Sequence, residues 1–397
     1  MRNRSKLAGA IAALVLMVAL VAGCGSGSST TSGGSTGGSA AEGTTEGGGS
    51  SSDYLSGVEK HVETLLSTEG TSVEKPTTSP VRAGGHHKIA LISCGQQAAL
   101  CARGVGAAEE AAHKLGWTAT LFDAKLNPPS AATGIRQAIA AGDDGIFVFL
   151  VDCTNIKSAL EEAKNAGIAV VAGESRDCDE TNPGSPPLFT YSLELSGGLN
   201  VVSGNREFFG AAAEYAIDKY DGESKALAFF ESTANGNLTA SLLEEAYAKC
   251  SGCSLEMIRF PPSAYGTRLQ GIAEQELLKH PEVNTVVPAF EATALEVYPA
   301  VRASGKSSEI LTFVGEGNEG GMDLIREDAN GYAVPFNAEW EGYGGIDALG
   351  RLFLGQKPVP IGQGFQLIDA EHNLPKSGPA ASPIDFKAMY EKAWKLK

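Results

Sequence analysis

The chain has 397 residues, with 31 basic against 47 acidic side chains and a formal net charge of −16. That surplus of acid argues against nucleic acid or an anionic headgroup surface as the partner of the folded part. Seven cysteines are an odd number, so one of them has no partner within the chain.

The chain opens on Arg2, Arg4 and Lys6, followed by an apolar run from Leu7 to Val21. The run is shorter than the ~20 residues a spanning helix needs, and a cationic start with a small-residue end reads as a secretory signal. Val21-Ala22-Gly23-Cys24 resembles the lipobox of bacterial lipoproteins, in which the signal is cut before the cysteine and the sulfur is acylated. Residues 1–23 are therefore expected to be a signal peptide and Cys24 a lipidated residue, with the protein exported and held on the outer face of the cell membrane. Losing three cations with the signal takes the side-chain charge from −16 to −19. Residues 24–52 hold the cysteine and a Gly/Ser/Thr/Ala/Glu tract without a bulky apolar residue, which cannot offset its ordering entropy and should be a flexible tether. Residues 53–85 form a leader: Tyr54, Val58, Val62, Leu65 and Leu66 recur at helical spacing, and Pro76, Pro80 and Gly84-Gly85 follow.

From Lys88 apolar runs alternate with helical patterns. Strands are expected at 88–93, 118–122, 145–151 and 168–172, with helices at 103–115, 130–141 and 155–165 between them. The rhythm restarts with a helix at 207–220. Strands follow at 225–230, 255–260, 283–288, 310–314 and 332–336, with helices at 240–249, 267–278, 292–303, 321–327 and 341–354. Near-continuous apolar strands joined by helices indicate parallel sheets covered on both faces. Two such modules in one exported chain suggest two lobes and a cleft, with ligand chemistry at the carboxyl ends of the strands.

In this order the chain resembles the type I periplasmic binding proteins, above all the ribose-receptor-like sugar-binding group in an actinobacterial lipoprotein branch. The phrases that carry the resemblance are Leu91-Ile-Ser-Cys-Gly-Gln-Gln97, Ile168-Ala-Val-Val-Ala-Gly-Glu174, Thr312-Phe-Val-Gly-Glu-Gly317, the segment from Glu339 to Arg351, and Gly364-Phe-Gln-Leu-Ile-Asp369. The fold implied is α/β, two Rossmann-like lobes, each a parallel sheet with helices on both faces, joined by a three-strand hinge. The first lobe would be 86–192 plus 337–363 and the second 193–336 plus 364–397. The family implies no reaction and no cofactor. A small ligand, with a monosaccharide or related polyol as the lead, is caught between closing lobes and passed to an ABC permease by a monomeric receptor. The ligand positions implied are Gln96, Gln97, Leu100, Asp152 and Glu174 in the first lobe. In the second they are Asn235, Asn237, Phe290, Glu291, Glu316 and Asn318, and on the return segment Phe336, Asn337 and Trp340. Departures from the sugar-binder pattern occur at Phe290, Gly317 and Phe336, where amides or acids are usual, and at Ser175, where an arginine often stands. Aromatic faces there suit an aromatic or other non-sugar solute equally well. A sensory lipoprotein that reports its ligand to a membrane receptor is the alternative from a different class.

Without Cys24 six cysteines remain, and six allow fifteen pairings. Proximity along the strand pattern favours Cys94–Cys101, Cys153–Cys178 and Cys250–Cys253. Cys250-Ser-Gly-Cys253 follows a helix and precedes a strand, the wrong place for a redox thiol, and no further zinc ligands lie close by in sequence. Gly315-Glu-Gly317-Asn-Glu-Gly320 fits G-x-G-x-x-G, but it comes late and carries two acids that would repel a pyrophosphate, so a tight turn at the cleft is the better reading. Gly33-Gly-Ser-Thr-Gly37 fits a nucleophile elbow only by composition, because no strand or helix surrounds it.

Overall fold

The central strands of this chain are short and apolar on both faces, so they can be satisfied only inside a sheet covered by helices. The computed structural model describes residues 51–74, 86–266, 268–327 and 330–396; the signal peptide, Cys24 and most of the tether lie outside the described residues. The leader forms α1 (Ser51–Leu66), two residues earlier than the periodicity indicates. The first sheet holds β1 (Lys88–Ser93), β2 (Thr118–Asp123), β3 (Gly145–Phe149), β4 (Ala169–Gly173) and β5 (Tyr191–Ser192), all parallel, in the order β2-β1-β3-β4-β5. Between these strands run α2 (Ala99–Lys114), α3 (Pro128–Ala141), α4 (Cys153–Asn165) and the single turn α5 (Cys178–Thr181).

After α6 (Val201–Lys219) the second sheet repeats the plan. Its strands are β6 (Lys225–Glu231), β7 (Ser254–Phe260), β8 (Thr285–Pro288), β9 (Leu311–Phe313) and β10 (Gly331–Tyr332), in the order β10-β9-β8-β6-β7. Read from β7, this is the first sheet's order. α7 (Ala234–Tyr247), α8 (Leu269–Lys279), α9 (Glu291–Ala303) and α10 (Glu319–Glu327) connect them, and α11 (Ala338–Phe353) and α12 (Phe386–Ala393) close the chain. Strand β3 is wholly buried, and its Phe147 and Phe149 enter the main core with Ile89, Leu91 and Val171.

Three crossings join the lobes, and they pair with one another. Ile361 N–H donates to Glu194 O at 2.8 Å and Ser196 N–H to Gln363 O at 2.6 Å, while Ala333 and Ile368 form an antiparallel bridge. A fourth segment, from the leader, lies along the last crossing, a pairing not expected from the sequence: Thr71 N–H donates to Phe365 O and Val73 N–H to Gly362 O, both at 2.9 Å. The leader therefore extends the hinge.

Two expectations need correction. The end of the chain, assigned to the second lobe as part of 364–397, crosses back before α12. Phe386 and Trp394 stack on Trp340 and Tyr343 of α11, and Lys387 reaches Glu110 of α2 at 2.5 Å, so α12 belongs to the first lobe. The apolar face of so short a helix needs a partner, and the aromatic surface of α11 supplies it. The expected strand 332–336 joins the sheet only at Gly331–Tyr332, because from Ala333, which bridges Ile368, its residues turn into the hinge.

The cysteines pair as proximity indicates. Cys94 bonds Cys101, Cys153 bonds Cys178 and Cys250 bonds Cys253, with Cα separations of 5.9, 5.1 and 5.4 Å.

Candidate functional site

The carboxyl ends of both sheets face a cleft of about 340 Å³. The first lobe supplies Leu100 from the start of α2, Leu150 to Asp152 after β3, and Glu174 and Arg176 after β4. The second supplies Asn205 and Phe208 from α6, Asn235 and Thr239 from α7, Phe290 after β8 and Glu316 after β9, and the hinge adds Phe336 and Phe365. Such a wall, mostly apolar with a few convergent polar groups from two lobes, is what a small-solute pocket requires.

Two non-glycine residues on its floor, Leu150 and Glu174, have left-handed backbone (φ 57° and 43°), a strain that surrounding structure must hold. Here hydrogen bonds hold it. Leu150 N–H donates to Gly173 O at 3.1 Å, and Ser175 Oγ accepts from Val151 N–H at 2.9 Å. Ser175 thus braces the loop, and the arginine expected in its place comes one residue later. Arg176 gives its backbone N–H to Asp152 Oδ1 at 2.9 Å and its guanidinium to Oδ2 at 3.1 and 2.5 Å. The Cys153–Cys178 bond clips the same two loops together.

Glu174 accepts from Asn205 Nδ2 of the second lobe at 3.2 Å, a direct contact across the cleft. Burial pushes its carboxyl up to about 7; the Asn205 hydrogen bond pulls down, Asp152 pushes up and Arg176 pulls down. Beneath it Glu341 of α11 accepts from the Glu174 backbone N–H, while its Oε2 is buried without a hydrogen-bond partner. Burial, with the neighbouring Glu174 charge adding to it, drives Glu341 well above the carboxylate range. On the opposite wall Glu316 accepts from Glu291 N–H at 2.8 Å, and burial raises it to about 7. Gly315 makes that turn possible: its φ is 97°, and a Cβ there would lie 2.4 Å from Glu291 N. The G-x-G-x-x-G segment is thus a tight cleft turn.

Of the fourteen expected ligand positions, Leu100, Asp152, Glu174, Asn235, Phe290, Glu316 and Phe336 line the cleft. The other seven do not. Gln96 folds back onto Ser93 Oγ at 2.8 Å, and Gln97 is exposed. Asn237 is taken by Arg259. Glu291 is buried and accepts from Asn318 N–H at 2.7 Å, and Asn318 Oδ1 accepts from Arg103 at 2.6 Å. Asn337 caps α11 through Trp340 N–H at 2.9 Å, and Trp340 is fully buried, its Nε1 donating to Ile361 O at 3.0 Å. All but the exposed Gln97 are tied into local hydrogen bonds before a ligand arrives.

Sequence reasoning missed Asn155, Arg176, Asn205, Phe208, Thr239 and Phe365. Arg176 had a signal, two residues past the strand-end acid. Asn205 and Phe208 had none, because they sit on a helix whose cleft face is set by lobe packing. Among the described residues the metal-like cluster Cys153, Asp177 and Cys178 offers no free thiol, since its sulfurs are bonded to each other.

A family model described as a periplasmic binding protein domain matches residues 89–357. The chain belongs to that family. Periplasmic binding proteins are receptors and not enzymes, and the family places this one outside the cytoplasm. No curated protein matches the chain by sequence. Solved structures with the same fold include a sugar-binding protein of a Bacillus halodurans sugar ABC transporter, 19% identical over 72% of this chain and 98% of its own, TM-score 0.61. An ABC transporter solute binding protein from Mycobacterium smegmatis, with bound glycerol, is 17% identical over 75% and 100%, TM-score 0.60. A glucose-galactose binding protein from Geobacillus stearothermophilus is 16% identical over 72% and 99%, TM-score 0.60. At these identities the likeness establishes the type I two-lobed fold. No helix among the described residues is long and apolar enough to cross a membrane.

Proposed function

We propose that this periplasmic binding protein captures one small polyhydroxylated solute, a monosaccharide or related polyol, in the cleft and hands it to an ABC permease, tethered to the membrane through Cys24. The observation that carries the reading is the cleft wall itself, with hydrogen-bonding groups on both lobes and phenylalanines between them. A ligand that touches both walls only when they are close stabilises the closed state, and a population shift then signals loading. The sugars and glycerol named for the solved structures agree in size and chemistry. Phe208, Phe290, Phe336 and Phe365 favour a second reading, an aromatic solute stacked in the same cleft.

A thermal-shift screen of the purified protein against sugars, polyols and aromatic acids separates the two. At 100-fold excess over Kd a binder adds about 2.7 kcal/mol of stability. A shift with aromatic acids and none with any sugar would replace the first reading by the second. Glu174→Ala should abolish whichever shift is found, and an unchanged shift would remove Glu174 from the site.

A further inference from the structure

The charges in the cleft do not balance. Asp152, Glu174 and Glu316 line it, and Arg176 is the cation that lines it with them among the described residues. Arg176 is already forked onto Asp152, which leaves that pair neutral. Arg103, near Glu316, is held by both oxygens of Glu339 at 2.7 and 2.8 Å and by Asn318. Glu174 on the first lobe and Glu316 on the second therefore stand without a cationic partner, and their hydrogen bonds come from an amide and a backbone N–H. Two carboxylates on opposing walls repel when the lobes approach, and a cleft lined by phenylalanine does not screen them as water does.

Resting on the receptor reading above, we infer that the natural solute carries a protonated amine, an amino sugar or amino polyol. Its ammonium is received by Glu174 and Glu316, and its apolar face lies on Phe290 and Phe336. A cation between the walls converts a repulsion that opposes closure into an attraction that drives it, and phenylalanine faces attract cations as well. Solutes bearing a carboxylate or phosphate are refused, because the one lining guanidinium is occupied. Asn155, Asn235 and the side-chain carbonyl of Asn205 remain for hydroxyls.

Burial raises both carboxyls to about 7, against the pull of Arg176 on the first and of Arg103 on the second. The groups facing Glu174 are Asp152, Arg176 and Glu341; those facing Glu316 are Glu291 and Arg103. A bound ammonium favours the ionised acids, so its binding should strengthen from about pH 5 to about pH 7, where a sugar amine is still mostly protonated, whereas a neutral sugar gains nothing from that change.

The test is one scaffold at three charges: glucosamine, glucose and glucuronate, with the galactose series beside it, titrated calorimetrically against the whole protein. The expected order is amine over neutral by about tenfold or more, with no uronate binding. Glu174→Gln and Glu316→Gln, near-isosteric changes checked for folding by their melting temperatures, should each narrow the preference for the amine. A neutral sugar bound as tightly as its amine, at both pH values, overturns the inference and leaves the sugar receptor standing. Silence of all six, with aromatic acids binding, overturns it together with the polyol reading.

Discussion

Asp347 and Arg351 lie one turn apart on α11, both about 3% exposed, with Arg351 Nε donating to Asp347 Oδ2 at 2.6 Å. Trp394, which caps α12, donates to the other carboxylate oxygen at 2.8 Å, so one buried acid fixes both a guanidinium and the last helix. Removing it strands the cation: Asp347→Ala should cost about 3–5 kcal/mol in chemical denaturation. A loss under about 1 kcal/mol would mean that water or a rearranged partner replaces the acid. The same contrast separates the site residues that the sequence revealed from those it hid. Glu174 and Phe290 were legible because a strand end fixes where they stand. Asn337 and Trp340 looked equally suitable, yet a cap and an indole hydrogen bond claim them, and such local claims are invisible in residue type alone.

Among the elements, α2 and α11 pack backbone against backbone. A Cβ on Gly342 would lie 2.3 Å from Gly104 O and 2.8 Å from Ala108 N, backbone atoms that cannot step aside. Gly342→Ala should therefore destabilise by about 1–3 kcal/mol despite alanine's better helix propensity. A more stable variant would show that the helices slide apart freely. The leader helix is joined to the second lobe by His61, which lies between Glu207 at 3.0 Å and Glu214 at 2.5 Å on α6. Hydrogen bonds to Glu207 and then Glu214 raise it from 6.5 to about 10. A raised histidine contributes stability that is full below its unfolded value and lost as pH climbs through the folded one. Melting temperature should thus fall from about pH 7 to pH 10, and His61→Ala should flatten that fall; an equal slope in the variant would clear His61 of the role. The side chain is about a third exposed, so the effect is modest, about 1 kcal/mol at most. Strands were legible as apolar runs. Helix starts were less so: α6 begins six residues before the expected 207 because Asn200 caps it, and α7 six before the expected 240 because Thr233 does. The leader's pairing with the hinge depends on partners almost 300 residues away, which no local pattern encodes.

At the scale of the molecule, two sheets of the same strand order turn their carboxyl ends toward one cleft, and the crossings between them pair with the leader. Nothing in that plan needs chemistry to be done on the solute; it needs the solute to be held and released. Native mass spectrometry of the protein with the best-binding solute tests this directly. The account expects one solute per chain, an adduct lost in Glu174→Ala, and a released solute of unchanged mass. A solute that leaves with altered mass, or no adduct at any concentration across sugars, amino sugars and aromatic acids, would contradict it.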